Sequence, residues 1–281
     1  MVISPHADDA AAFCGGTLAK FAAEGWRLVF VRVTDDAKDS VGLTVEETLA
    51  RNAAELHDAA RALGAAEVVE LGFETDTLGD VSRVALRERF VHLLRKHRPY
   101  AVFSFDPFGL YEGNLDHVVT AQAVEEAYWV ACFDLHHPEH FAEGLAPFAV
   151  CERWYFARRL PESNHVEDIT AHFGAKLDAL AAHRTMIRNV IQLTRLQLET
   201  FGHRAEALDQ AQDADPRPLM EMVFGQQGQA VAAAAGLPEG RLAEVFRLVR
   251  FGDLEPLVGA IAEPIPGAPP PPRRPSLDPE A

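Results

Sequence analysis

Short apolar runs alternate along the chain with longer stretches in which apolar residues recur every three or four positions. Val2-Ile3-Ser4 reads as the end of a buried strand; the apolar run that should precede it is missing, which leaves open a start upstream. Thr17 to Gly25 has helical spacing and ends in a glycine suited to the position after a helix. Leu28 to Val33 is a continuous, β-branched run of the kind found in strands covered on both faces. The same alternation predicts a helix over Thr44 to Leu63 closed by Gly64, a strand over Glu67 to Leu71, and a helix from Val81 to His97 stopped by Arg98-Pro99. Further strands are predicted at Ala101 to Phe105 and Val150 to Phe156, separated by a glycine-bearing loop to His117 and a helix from Val118 to Val130. Ile169 to His183 reads as a helix with Lys176, Leu180 and His183 on one face, since seven residues make about two turns. Residues 184 to 218 read as helix and then loop, and Leu237 to Val249 as a last helix.

Strands and helices in this order predict an α/β protein with a Rossmann-like three-layer α/β/α domain, a mostly parallel sheet and a mainly helical C-terminal extension. The expected division is a core over 1–183, a helical part over 184–263 packed on it, and a proline-rich disordered tail over 264–281. Ligands of such sheets sit beyond the carboxyl ends of the strands, and the loops that carry His6 and His117 both lie on that edge.

Composition narrows the partners. With 281 residues, 48% of them hydrophobic, the chain can bury a large core. A formal charge of −16 argues against nucleic acid and anionic membrane surfaces and favours a neutral or cationic small molecule. No run suits a membrane span or a signal peptide, so a cytoplasmic location is expected. Cys14, Cys132 and Cys151 form no CxxC pair and are expected to be reduced and buried. A homo-oligomer is compatible with the sequence, which does not set the number of subunits.

The candidate chemistry is concentrated in Pro5-His6-Ala7-Asp8-Asp9. A catalytic zinc takes three protein ligands and leaves one position for water, and His6, Asp9 and His117 supply such a set from two loops on one edge. Asp8, left free beside them, can take the proton of an attacking water. Two histidines and a carboxylate also suit ferrous iron, so ligand type alone does not fix the metal. Gly15-Gly16 lacks the spacing of a dinucleotide turn, and two carboxylates before it would repel a pyrophosphate. His136, His137 and His140 read more simply as a flexible loop on the substrate side than as a second metal site. Trp129, Trp154, Tyr155 and Phe156 read as core.

The chain resembles the PIG-L/LmbE-like zinc-dependent deacetylases, which remove acetyl groups from N-acetylglucosamine-type sugars and related amides. His6-Ala7-Asp8-Asp9 is similar to the family's HPDDE box, Gly15-Gly16-Thr17 to its GGT helix start, Thr34-Asp35 to its TDG turn, and Leu115-Asp116-His117 to the end of its HPDH box. Glu55 with Leu63-Gly64, then Asp168-Ile169-Thr170 with Lys176 and His183, and finally Glu221 with Phe224, extend the likeness to about residue 225. The resemblance implies that His6, Asp9 and His117 are ligands of zinc, or of another divalent ion such as Fe2+, that Asp8 is the general base and that Asp116 orients a neighbouring side chain. Three departures bear on activity. Ala10 replaces a glutamate, Asn114 replaces the first histidine of HPDH, and Asn52 stands where a substrate-binding arginine is usual, with Arg51 one place earlier. Asn114, Tyr111, Arg51 and His183 are the candidates for touching substrate. The expected activity is zinc-dependent removal of an acetyl or similar acyl group from an amino-sugar-like amide. The alternatives are an amidase acting on a thiol conjugate and a metal-binding protein with little turnover.

Overall fold

The computed structural model describes residues 1–213, 215–263 and 265–267. Seven strands form one sheet in the order β3-β2-β1-β4-β5-β7-β6, where β1 is Val2–Ser4, β2 Val29–Thr34, β3 Glu67–Phe73, β4 Ala101–Phe105, β5 Glu152–Phe156, β6 His165–Asp168 and β7 Ala243–Arg250. The first five are parallel; β7 runs antiparallel to β5, and β6 antiparallel to β7. The order reverses between β1 and β4, and this switch point is where open α/β sheets leave a crevice for ligands.

Side chains alternate across the sheet. Val2, Phe30, Phe103, Trp154 and Phe246 join one core layer with α1 (Asp9–Ala23), α2 (Val45–Ala62), α6 (Phe173–Ala182) and Met220 of α9 (Arg217–Ala234). Ile3, Val31, Val33, Val102 and Tyr155 join the other, with α3 (Arg83–His97) and α4 (Leu115–Val130). The remaining helices are α5 (Glu139–Ala142), α7 (Arg184–Thr200), α8 (Glu206–Asp213) and α10 (Glu255–Ile261). None of the described helices is long and apolar enough to cross a membrane.

Local sequence explains the clearest boundaries. Thr44 and Glu47 form a reciprocal capping box at the start of α2, and Arg98, in a left-handed conformation before Pro99, ends α3. Elsewhere the expectations need correcting. The first helix begins at Asp9 and not at Thr17, so both its carboxylate and its glycines are helical. The fourth begins at Leu115, which moves Asp116 and His117 from the loop into its first turn. β6 and α9 were not expected, and the stretch assigned to a last helix, Leu237 to Val249, holds most of β7 instead. Charges on both faces of β7 hide its two-residue period, because Glu244, Arg247 and Arg250 are paired with Lys176, Asp106 and Glu152 from distant segments. Trp129 is exposed, unlike the buried Trp154, Tyr155 and Phe156; of the cysteines, all free, only Cys14 is fully buried. Apart from 265–267, the predicted disordered tail lies outside the described residues.

Candidate metal centre and its cleft

The loop after β1 is fixed by backbone chemistry. The amide and hydroxyl of Thr34 both donate to the Pro5 carbonyl, at 2.9 and 2.8 Å, and the Ala7 amide donates to Asp36 Oδ2 at 3.1 Å. Asp36 adopts a left-handed φ of 57° at the place where the TDG pattern has glycine, and Thr34 Oγ1 and Arg32 Nη1 hold its carboxylate. Asp9 Oδ2 accepts the His6 amide at 2.9 Å, which turns its carboxylate towards the His6 ring. On the other side of the switch point Asn114 caps α4: its Oδ1 accepts the amides of Asp116 at 2.9 Å and His117 at 3.4 Å. Phe105, at the end of β4, stacks on the His117 ring with centroids 4.1 Å apart.

Three donor groups therefore converge. His6 Nδ1 lies 3.1 Å from His117 Nε2 and 3.5 Å from Asp9 Oδ2, and His117 Nε2 lies 3.4 Å from Asp9 Oδ1. Donors around a tetrahedral zinc, bound at about 2.0 to 2.1 Å, are about 3.3 Å from one another. The outer nitrogens face carboxylates: His6 Nε2 is 3.4 Å from Asp116 Oδ2, and His117 Nδ1 is 3.2 Å from Glu112 Oε2, although that second pair lacks hydrogen-bond alignment. With a proton on each outer nitrogen, the inner nitrogens present lone pairs to each other and to a carboxylate. Such an arrangement calls for a positive charge at its centre, so the donor set fits a divalent cation. Without a cation the charge is a proton: burial disfavours the imidazolium of His6, but hydrogen bonds to Asp116 and Asp9 outweigh it and raise its pKa well above the usual value.

Asp116 is fully buried and also accepts the amides of Asp76 and Leu78, at 2.7 and 3.3 Å. Asp8 stands at the head of α1 without capping it, and burial, reinforced by the charge of Asp9, pushes its carboxyl up to about 8. His183, at the junction of α6 and α7, is buried with neither ring nitrogen hydrogen-bonded among the described residues, and burial pushes its pKa down to about 4, which makes it a neutral imidazole.

A cleft of about 950 Å³ opens from this cluster, lined by His6, Asp8, Asp9, Asn114, His117 and His183. Lys176 and Leu180 line it too, so the predicted face of the Lys176 helix is the one that meets the site. Arg51 and Tyr111 do not line it. Arg51 is exposed on α2, and Tyr111 is 81% exposed with the Arg159 guanidinium over its ring. His136 to His140 do not line the cleft either: Arg95 donates to the carbonyls of Ala131, Phe133, His136 and His137 and meets His140 Nδ1, pinning the segment to α3. Sequence reasoning missed Glu112, whose only signal is a carboxylate in the glycine-bearing loop.

Behind the cluster, Glu244 of β7 accepts the amides of Gly16 and Thr17 at 3.0 and 2.8 Å, the Thr17 hydroxyl at 2.7 Å and Lys176 Nζ at 2.6 Å. A Cβ at Gly16 would lie 2.6 Å from Ile169 Cδ1, which explains the small residue there. The GGT, DIT and lysine segments thus meet in space around one carboxylate.

Residues 1–128 match the sequence model of the family described as PIG-L, GlcNAc-PI de-N-acetylase. The chain carries a PIG-L domain. Diacetylchitobiose deacetylase of Thermococcus kodakarensis is 28% identical to it over 205 residues, which cover 72% of this chain and 75% of the relative. The 1D-myo-inositol 2-acetamido-2-deoxy-α-D-glucopyranoside deacetylase of Mycobacteroides abscessus is 31% identical over 157 residues, 46% of this chain and 56% of the relative. Among solved structures, N,N'-diacetylchitobiose deacetylase of Pyrococcus horikoshii superposes with a TM-score of 0.70 at 21% identity, covering 91% and 87% of the two chains. A 4-carboxy-2-hydroxymuconate hydratase of Pseudomonas putida KT2440 superposes at 0.62 and 20% identity, covering 88% and 94%. The fold around the PIG-L domain is therefore shared by proteins of different chemistry, and activity has to be argued from the site.

Proposed function

We propose that the chain is a metal-dependent hydrolase that removes an acetyl or similar acyl group from an N-acylated amino sugar or a related small amide. The observation that carries this reading is the convergence of His6, Asp9 and His117 on one point with a free carboxylate, Asp8, beside them. The two deacetylase relatives supply the substrate class. Zinc is the proposed metal: bound by those three residues, it would polarise the amide carbonyl and acidify a water.

The chain's own residues divide the remaining work. Asp116 holds the ring orientation of His6, and Phe105 stacks on the ring of His117, whose outer nitrogen faces the Glu112 carboxylate. Asp8 accepts the proton of the attacking water and returns it to the nitrogen as the C–N bond breaks, so the products form as the carboxylic acid and the amine. A cation beside Asp8 favours its ionised form, which a base needs. Asn114 spends its oxygen on the α4 cap and has only its amide N–H groups to offer the substrate. His183, neutral and without a hydrogen-bond partner among the described residues, and Asp39, whose Oδ2 is likewise unpaired there, are further polar groups able to bind substrate at this end of the cleft.

The test is metal content by elemental analysis together with amine release over a panel of N-acetylated amino sugars. We expect about one zinc per chain and hydrolysis that a chelator abolishes. Stoichiometric zinc with no amine released from any amide would make the chain a metal-binding protein and end the hydrolase reading.

A further inference from the structure

The cleft is larger than an acetyl group and one sugar ring require, and its walls change character with distance from the metal ligands. At about 950 Å³ it reaches the top of the range for drug-sized ligands. Away from the ligands it runs between α6, α7 and α9, where Leu180, Ile187, Val190, Leu219, Met220 and Val223 form its walls. Of the polar groups in that part, Lys176 and Glu244 bind each other and the Thr194 hydroxyl donates to the Val190 carbonyl, while Asn189 and Gln227 stand beside the apolar residues. Sugar hydroxyls laid on those apolar side chains would lose water's hydrogen bonds without replacement. Val190, in contrast, is 56% exposed and gains by being covered. At the near end the balance reverses. Asp8, Asp39, Asn114 and His183 gather there, and Asp39 Oδ2 and both nitrogens of His183 are buried without partners among the described residues.

From this polarity we infer that the cleft binds an amphiphile, and that the favoured substrate carries an unbranched aliphatic chain lying between α7 and α9 while its polar head is held at the metal centre. The inference rests on the hydrolase reading and adds the class of substrate. Continuity decides the occupant: the apolar walls and the metal ligands bound a single cavity, so a molecule cut at one end is the molecule that covers the other. The chain can be the acyl group itself or an alkyl group on the amine-bearing sugar.

Two homologous series distinguish these sources. One is glucosamine N-acylated with acetyl to octanoyl groups; the other is N-acetylglucosamine carried as methyl to octyl glycosides. Each buried methylene contributes about 0.8 kcal/mol, about fourfold in kcat/KM. We expect a gain of about two- to fourfold per methylene in one series and a flat response in the other. Val190→Asp and Val223→Asp should each bring the ratio of longest to shortest substrate close to one; Val190 is exposed enough for the substitution to leave folding intact. If both series are flat while the acetylated sugar is hydrolysed, the inference falls and the hydrolase reading stands. If no amide is hydrolysed, calorimetric binding of the same two series to the Asp8→Asn protein reads the cleft alone: tighter binding with chain length supports the inference, and none overturns it. Dimers that Val190→Asp dissociates, with no chain-length gain, would give the cleft to a second copy and overturn it as well.

Discussion

Asp116→Asn probes how the centre is assembled with almost no change in volume. Asp116 Oδ2 accepts the Asp76 amide at 2.7 Å and faces His6 Nε2 at 3.4 Å, while Oδ1 accepts the Leu78 amide at 3.3 Å. A carboxamide must place an NH2 where one of these oxygens was. The less costly choice sets it against the Leu78 amide, leaving a buried donor unpaired at a cost of about 1–3 kcal/mol. The remaining oxygen still faces His6, so the ring keeps its tautomer, but the partner is neutral and the bond roughly half as strong. Loss of such an outer partner typically weakens metal binding by about 10- to 100-fold, or about 1.4–2.7 kcal/mol. Competition for zinc against a chromophoric chelator measures the affinity, and thermal melts with and without metal measure the stability. We expect the affinity to fall within that range and the metal-free melting temperature to fall by several degrees. Zinc affinity within twofold of the parent protein would refute the reasoning and reduce Asp116 to an anchor for the turn at Asp76 to Leu78.

Asp8→Asn should keep the metal and lose on the order of 10²-fold or more in rate, whereas Asp9→Ala and His117→Ala should lose metal too; equal metal loss in all three would remove Asp8 from its role as base. Lys176→Met leaves the Glu244 carboxylate buried without its cation and should destabilise the fold by about 3 kcal/mol in denaturant titration, with partial recovery in the double variant carrying Glu244→Gln. Gly16→Ala should cost about 1–3 kcal/mol by overpacking against Ile169, seen as a lowered denaturation midpoint. The metal-free protein should become less stable as pH rises. Despite the opposing effect of burial, hydrogen bonds to Asp116 and Asp9 raise the His6 pKa above 6.5, so its contribution is complete below that value and is lost above it; burial raises Asp8 to about 8, with the same sign. Melting temperatures should thus fall from pH 6.5 to 8 in chelator and stay level with zinc; a rise in chelator would contradict the assignment.

Much of this was legible in the sequence because the deciding signals are local. Continuous apolar runs marked β2 and β4, and a capping threonine with a closing glycine marked α2. The two ligand loops could be placed on one sheet edge because strand alternation alone sets the edge. What was hidden depends on partners far along the chain. Charges on both faces disguised β7, and neither Glu112 behind His117 nor the exposure of Trp129 can be known before α4 is placed. In the sequence Asn114 stands out only as the replacement of a histidine and a candidate for touching substrate; its structural task, capping the helix that presents Asp116 and His117, belongs to a helix start three residues earlier than the one expected. Arg51 and Tyr111 were nominated by chain position, and chain position does not say which way a side chain faces.

The bond from the Gly16 amide to Glu244 spans 228 residues. During synthesis the metal-binding loop leaves the ribosome well before the carboxylate that secures the helix behind it. Until then two amides in the middle of α1 lack their final partner, and the sheet's last two strands are absent. Folding dominated by such distant contacts is slow. Between the synthesis of His117 and that of Glu244 the nascent centre has its ligands made and its supporting helix unsecured, so the step that completes it is the arrival of β7.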